Sequence, residues 1–346
     1  MKGLLASARF QAAASAVLAL ALFGFFLTRV KPAEIGAAIR SASPGWIAAS
    51  VAISLTTFAF RALRWIWILE PVGRVPWWPS YRATAIGFAA NTVLPARAGE
   101  VLRPAILARE RSLPFAALLA SIVFERILDA LSQLSYLGIA LGTSSAAAGS
   151  LVSSNRLRVA VAGLAGIAVA VALFAVLWRG ATERFFDILF RALPERFRPA
   201  ARRAAHTFLD GFASLRTPRL LALVGLGSLF LWLVINVQVY CVIRAFGLRL
   251  PLSAAFVTTS AAVLGLVVPT PGGVGGYHAA VQFALTRVYG APVATATGVA
   301  LIAHAVSFVP ISLIGFALFA ASPWRRKGWK ELSAEPEGRP SSAELG

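Results

Sequence analysis

Glu125, Arg126 and Asp129 stand in the middle of an otherwise apolar stretch, about residues 115–141. On a helix Glu125 and Asp129 share a face at i,i+4, and Arg126 reaches Asp129 at i,i+3. Ionisable groups at mid-membrane depth are costly and mark substrate, ion or proton pathways by default. The trio carries one negative charge in surplus, which arginines elsewhere could balance. Such carboxylates can position those arginines or carry protons. The plainer reading is a buried ion-pair network that only holds helices together.

Two arginine-bearing groups could supply the balance. Arg61 and Arg64 share one face of an apolar segment at i,i+3. Snorkelling toward the cytoplasmic surface would account for Arg64, near the end of that segment, better than for Arg61, a turn deeper. Asn91, Arg97, Glu100 and Arg103 surround a break in a second apolar segment. Glu100 and Arg103 can neutralise each other, whereas Arg97 has no neighbouring acid in sequence and is the best candidate of the four to bind an anion.

A third group carries backbone instead of charge. Residues 269–278 read P-T-P-G-G-V-G-G-Y-H, with Gly272, Gly273, Gly275 and Gly276 just before Tyr277 and His278. Glycine lets a ligand approach the main chain closely. Free amides at the start of the following helix favour an anion such as phosphate. The Gly-Lys-Ser/Thr ending of a nucleotide loop is missing. His278 could meet a head group or carry a proton, or simply be hydrogen-bonded; His304 stands alone in the last apolar segment.

Catalytic machinery is not legible. His206, His278 and His304 lack metal-ligand spacing, no G-x-S-x-G elbow occurs, and no cofactor motif is present. The expectation is a protein without a catalytic residue, metal or cofactor.

The elements that must position these groups are membrane helices. The 346 residues are 58% hydrophobic and 14% charged, with mean hydropathy +0.75, which no soluble domain matches. The fold class expected is an all-α polytopic bundle. Spanning segments lie at about 10–28, 46–69, 115–141, 157–178, 219–246 and 292–320. Two further apolar segments, about 80–110 and 254–289, are interrupted by the same skeleton, Pro95 to Gly99 and Pro269 to Gly273. Unwound backbone inside hydrocarbon leaves polar groups unpaired and survives only where protein, water or a ligand satisfies them. One such break in each half is the pattern of transporters that bind their substrate at mid-membrane.

Charge sets the orientation. Segment 179–219 carries nine arginines against four acids, and the tail opens on Arg325, Arg326 and Lys327, so both are expected in the cytoplasm. Both termini then lie inside if the two broken segments return to the side they came from, as re-entrant hairpins. The halves 10–141 and 157–320 become one plan in opposite orientations. Eight full crossings is the rival; it places Arg97, Arg103, Arg109 and Arg111 outside. Arg29, Lys31 and Arg40 fall on an outer loop as an exception to the bias. Within 179–219 the spacing of Phe185, Phe186, Leu189, Phe190 and Leu193 reads as an amphipathic helix on the inner leaflet. Residues 1–330 are thus one transmembrane domain, and 331–346 a disordered tail.

The net charge of +19 lies mostly in loops and span ends, so anionic lipid is the partner expected and nucleic acid is not. Only four of the 33 basic residues are lysine, a bias that a GC-rich genome would also produce. Cys241, the one cysteine, lies in an apolar run and reads as a packing residue.

Four motifs occur in order: R-A-L-R-W at 61–65, N-T-V-L-P-A-R-A-G-E-V-L-R at 91–103, F-E-R-I-L-D at 124–129 and P-T-P-G-G-V-G-G-Y-H at 269–278. Together they resemble the flippase-like transmembrane region of the lysylphosphatidylglycerol synthases and its standalone relatives, over about residues 10–320. The resemblance implies a translocase of an anionic phospholipid or lipid-linked intermediate in a bacterial cytoplasmic membrane. It also leaves open a non-catalytic partner of a separate lipid-modifying enzyme, in lipid-linked sugar, aminoacyl-lipid or hopanoid metabolism. Bifunctional members add a cytosolic acyltransferase-like domain; this sequence ends about 25 residues after its last apolar segment, so no synthase activity is expected of it. Many relatives place a glutamate a few residues after the Gly-Gly motif, where His278 stands nearby here. The head group expected between the two breaks would meet Arg61, Arg97, Arg103 and the amides near Gly275 and Gly276.

Overall fold

The computed structural model describes residues 31–94, 97–143, 217–268 and 270–323, with isolated helical positions at 17, 20, 21, 24, 159, 160, 163 and 166. The spans expected at 10–28 and 157–178, the amphipathic segment and the tail fall largely or wholly outside the described residues. Every regular element among the described residues is helical.

The chain order is α1 (Pro32–Arg40), α2 (Pro44–Leu69), α3 (Trp77–Val93), α4 (Gly99–Arg111), α5 (Phe115–Thr143), α6 (Pro218–Ala245), α7 (Leu252–Gly265), α8 (Gly276–Phe283) and α9 (Val293–Ala320). A 3-10 turn (Pro271–Gly273) precedes α8, and a π turn (Ala284–Val288) follows it. Helices α2, α6 and α9 are long and apolar enough to cross a membrane. At 29 residues α5 is as long, but it carries Glu125, Arg126 and Asp129. Leu226, Phe230, Val309 and Leu313 lie exposed on α6 and α9, as lipid contact requires. The chain is an all-helical membrane protein.

Proline and glycine place the boundaries. Pro44 and Pro218 begin their helices at positions where a missing amide proton costs nothing. Within the segment between the first two apolar runs, Pro32 starts α1, Glu34 stands in the first turn and Arg40 in the last, each on the side the helix dipole favours.

Both broken segments fold back on themselves. In the first, Arg82 pairs with Glu110 at 2.6 Å, Gly87 lies against Arg103, and Asn91 lies against Gly99, so α3 and α4 run antiparallel. In the second, Gly265 and Gly276 touch backbone to backbone, joining α7 to α8. Gly272, at φ 61°, brings the second turn against Thr92 at the end of α3. The two breaks therefore meet.

Each half has its own apolar core. Trp65, Ile68, Ile106, Leu107, Leu118 and Phe124 form one, and Val242, Ile243, Tyr277, Leu285, Val299 and Ala303 form the other. Helices α2 and α6 pack along each other, and α9 packs along α3, with Gly315 against the Ala85 carbonyl and Ala89.

Candidate functional site

Polar side chains recur every three or four residues on three helices and so line one interior seam. On α2 these are Ser50, Ser54, Thr57, Arg61 and Arg64; on α5, Glu125, Asp129 and Gln133; on α6, Ser228, Trp232 and Asn236. α4 adds Arg103 across from Glu125.

Glu125 is the hub. Arg103 donates through Nη1 to both of its oxygens at 3.1 Å, and Arg126 donates through Nη2 at 2.7 Å. Arg64 approaches it at 3.3 Å and Arg61 at 4.0 Å. Asp129 is the second hub. It accepts from Arg64 Nη1 at 2.7 Å and from Trp232 Nε1 at 2.9 Å, with Arg126 and Arg61 at 3.4 and 3.6 Å. Arg64 also donates to Ser228 at 2.9 Å. The Arg103 guanidinium lies 3.9 Å over the Trp65 ring, whose Nε1 donates to Ser121. Contrary to the sequence expectation, Glu100 pairs with Arg97 at 3.5 Å, one turn before it, while Arg103 turns to Glu125; Glu100 also lies 4.0 Å from Arg126.

Four guanidinium groups (Arg61, Arg64, Arg103 and Arg126) thus surround two carboxylates. Arg97 with Glu100 leaves that surplus of two positive charges unchanged. The trio on α5 taken alone suggested a surplus of one negative charge; the assembled network reverses the sign. Side-chain exposure falls from 50% at Arg97 and 32% at Arg126 to 9% at Arg61, 3% at Arg103 and 0% at Arg64. Arg64 does not snorkel. Several buried nitrogens have no hydrogen-bond acceptor: Nη1 of Arg61, Nε and Nη2 of Arg64, and Nε and Nη2 of Arg103.

The glycine turn forms a separate cluster. Gly272, Gly273 and Gly275 all adopt positive φ, which residues with a Cβ avoid. The Gly275 amide donates to His278 Nδ1 at 3.3 Å, so it is not open to a ligand in this conformation, contrary to the sequence expectation. His304 Nε2 lies 2.8 Å from the Gly272 carbonyl, and the two imidazole rings are 4.6 Å apart. The turn approaches the first break where Gly272 lies against Thr92, the residue after Asn91. Asn91 Oδ1 is buried against Gly99 without a hydrogen-bond donor.

Sequence reasoning found the charges but missed Trp65, Ser228, Trp232, Gln133 and Asn236. The four-residue spacing of Ser228, Trp232 and Asn236 on an apolar helix was the available signal. Gln133 donates to Ser260 at 2.7 Å and accepts from Asn236 at 3.2 Å, extending the seam into the second half. Among the described residues no cluster of histidine, cysteine and carboxylates could hold a metal ion.

The profile of the family described as Lysylphosphatidylglycerol synthase TM region matches residues 12–315. A glycosyltransferase, AglD, of Haloferax volcanii is 28% identical over 326 residues, covering 84% of this chain and 50% of that protein. The chain therefore spans half the length of this relative. A UPF0104 membrane protein of Methanothermobacter thermautotrophicus is 24% identical over 310 residues, covering 83% of this chain and 88% of that protein.

Proposed function

The chain belongs to the family of the lysylphosphatidylglycerol synthase transmembrane region, and from that premise we propose that it is a lipid translocase without enzymatic activity of its own. Its substrate is a lipid with an anionic, phosphate-bearing head group. The observation that carries this reading is the surplus of two positive charges in a network that is buried except at Arg126, and whose buried guanidinium nitrogens are not all used. An uncompensated charge in hydrocarbon is costly, and a phosphate supplies the compensation. Arginine suits this role because its planar fork meets two phosphate oxygens at once.

The fall in exposure from Arg97 to Arg64 gives the head group a route. It meets Arg97 and Arg126 first, then exchanges places with the carboxylates around Arg61 and Arg103. Each arginine changes partner instead of becoming free, so no step leaves a bare charge. An apolar groove of about 400 Å³, lined by Thr57, Phe60 and Leu63 of α2, Trp77 of α3 and Phe230 of α6, can keep an acyl chain in an apolar setting.

In this account α3–α4 and α7–α8 are re-entrant hairpins that enter from opposite faces of a cytoplasmic membrane, with both termini inside. Their tips meet at Thr92 and Gly272, where alternating access would be gated.

Arg97→Ala tests the reading. An exposed pair contributes little stability, about 0–1 kcal/mol, so the variant inserts and folds. Loss of a charge-assisted contact should slow translocation about tenfold or more. The assay is dithionite quenching of fluorescent phosphatidylglycerol in reconstituted vesicles. Equal rates for wild type and variant would reject the role of Arg97.

The similarity to a protein named a glycosyltransferase favours one second reading, a partner subunit in lipid-linked sugar metabolism. Product formed by the purified chain from a lipid-linked sugar would replace the transport account with an enzymatic one.

A further inference from the structure

The outer face of α5 carries a charge at mid-helix. Val123, Arg126 and Ala130 are spaced three and four residues apart, so they share one face, and all three reach the surface. At the rise of an α-helix, Arg126 lies about 17 Å from the start of α5 at Phe115, in a helix about 43 Å long. That depth is near the middle of a bilayer, too far from either surface for the side chain to snorkel. Of the four arginines around Glu125 and Asp129, Arg126 is the exposed one, at 32%.

The tip of the first hairpin brings two more charges to the same place. α4 is buried throughout from Leu102 to Ala108, whereas Arg97, Glu100 and Val101 at its start are accessible. Arg97 leads into α4 at φ 54°, a conformation that residues with a Cβ seldom adopt. Glu100 lies between the two arginines, 3.5 Å from Arg97 and 4.0 Å from Arg126. The three accessible groups carry a net positive charge of one. Around them Val101 and Val123 are each 41% exposed.

Neither hydrocarbon nor water suits this surface. Hydrocarbon would face ions at mid-depth, which is costly. Water would face the valines and Ala130, which gain by leaving it. An amphiphile with an anionic head satisfies both parts. The lipid faces of α6 and α9 have no such interruption: Leu226, Phe230, Val309 and Leu313 are exposed there, and α9 contains no acid, lysine or arginine.

We infer that the start of α4 and the outer face of α5 form a port open sideways to the bilayer, which holds one anionic phospholipid. Its phosphate rests against Arg97 and Arg126. Its acyl chains stay in the bilayer, along Val101 and Val123. The lipid then reaches the buried network from the hydrocarbon side, and no water-filled vestibule is needed. Arg126 belongs to both places: it faces the bilayer, and it holds Glu125 at 2.7 Å. This inference rests on the translocase reading for the fate of the lipid and not for its binding at the port.

The test places a nitroxide at Val123→Cys or Ala130→Cys in the full chain, in nanodiscs of mixed phosphatidylglycerol and phosphatidylcholine. Cys241 is buried and stays in place, with the wild-type chain as the blank. Val309→Cys, at similar depth on the uncharged face of α9, is the control. Two quantities are read. The first is access of molecular oxygen against that of a water-soluble nickel chelate. Oxygen should dominate at all three positions, because all three face hydrocarbon. The second is phosphorus relaxation of the two lipids. A label at Val123→Cys or Ala130→Cys should relax phosphatidylglycerol several-fold more than phosphatidylcholine, because a phosphate is held at that depth. The label at Val309→Cys should treat the two lipids alike. Adding Arg126→Gln to either port variant should abolish the difference. If one port variant does not fold, the other gives the same reading.

Access dominated by the nickel chelate at the port would mean an aqueous vestibule, and no access to either probe would mean a face covered by protein; each overturns the inference. Equal relaxation of the two lipids at both port positions overturns the bound phosphate. If the labels respond as described while fluorescent phosphatidylglycerol does not cross vesicles, the translocase reading fails and the port stands. If the lipid crosses and the labels do not respond, the port fails and the translocase reading stands.

Discussion

Replacing Glu125 with alanine should destabilise the protein by about 3–5 kcal/mol, the range for breaking a buried ion pair by removing one partner. Glu125 is fully buried and accepts from Arg103 and Arg126, with Arg64 at 3.3 Å. Without it the positive surplus of the whole network rises from two to three. The side chains that lose their partner sit on α2, α4 and α5, so the damage spreads beyond one helix. Thermal unfolding in detergent measures the loss. Arg97→Ala is the control: its side chain is half exposed and its pair with Glu100 is 3.5 Å long, so removing it should cost about 1 kcal/mol or less. Similar losses in the two variants would mean that the buried network is no more strained by a missing carboxylate than the periphery is.

Gly99→Ala should be the second severe change. A methyl group on Gly99 would run into the Gly87 carbonyl and lie 2.6 Å from Asn91 Oδ1. A backbone carbonyl cannot turn aside, so α3 and α4 must separate. Overpacking of this kind costs about 1–3 kcal/mol, and more where the obstacle is main chain. The larger effect falls on the site, because Arg103 stands one turn further along α4 and must hold both Glu125 oxygens at 3.1 Å. Translocation should fall to the uncatalysed rate. Gly138→Ala, on α5 with nothing within 4 Å of its added methyl, should leave both stability and transport at or above wild type. The comparison separates the loss of a close backbone approach from the general effect of removing a glycine.

Spans and breaks were legible because they depend on composition over a local window. Long apolar runs, Pro44, Pro218 and the glycines of 269–278 act within a few residues of themselves. The unpaired charges in apolar segments were legible for the same reason. Their pairing was not. Arg64 meets Asp129 across 65 positions and Arg103 meets Glu125 across 22, and which arginine takes which oxygen depends on how α2, α4 and α5 pack. The trio on α5 read alone is negative by one; the surplus of two positive charges appears once Arg61, Arg64 and Arg103 are counted with it. The glycine turn shows a second limit. Its amides read as open because sequence spacing does not show that the ring of His278 turns back onto Gly275.

A buried ionic network is weak grounds for stability, since apolar residues of similar volume often hold helices equally well. Under the proposed function the network across α2, α4 and α5 serves the anion it binds. The most direct measurement is native mass spectrometry of the lipids that copurify with the wild-type chain and with Arg61→Gln, whose arginine makes only long contacts to the carboxylates, 3.6 and 4.0 Å. The account expects the wild type to retain a phosphate-bearing anionic lipid and Arg61→Gln to lose most of it while remaining folded. Retention of neutral lipid alone, or the same anionic lipid at equal occupancy in both proteins, would contradict it.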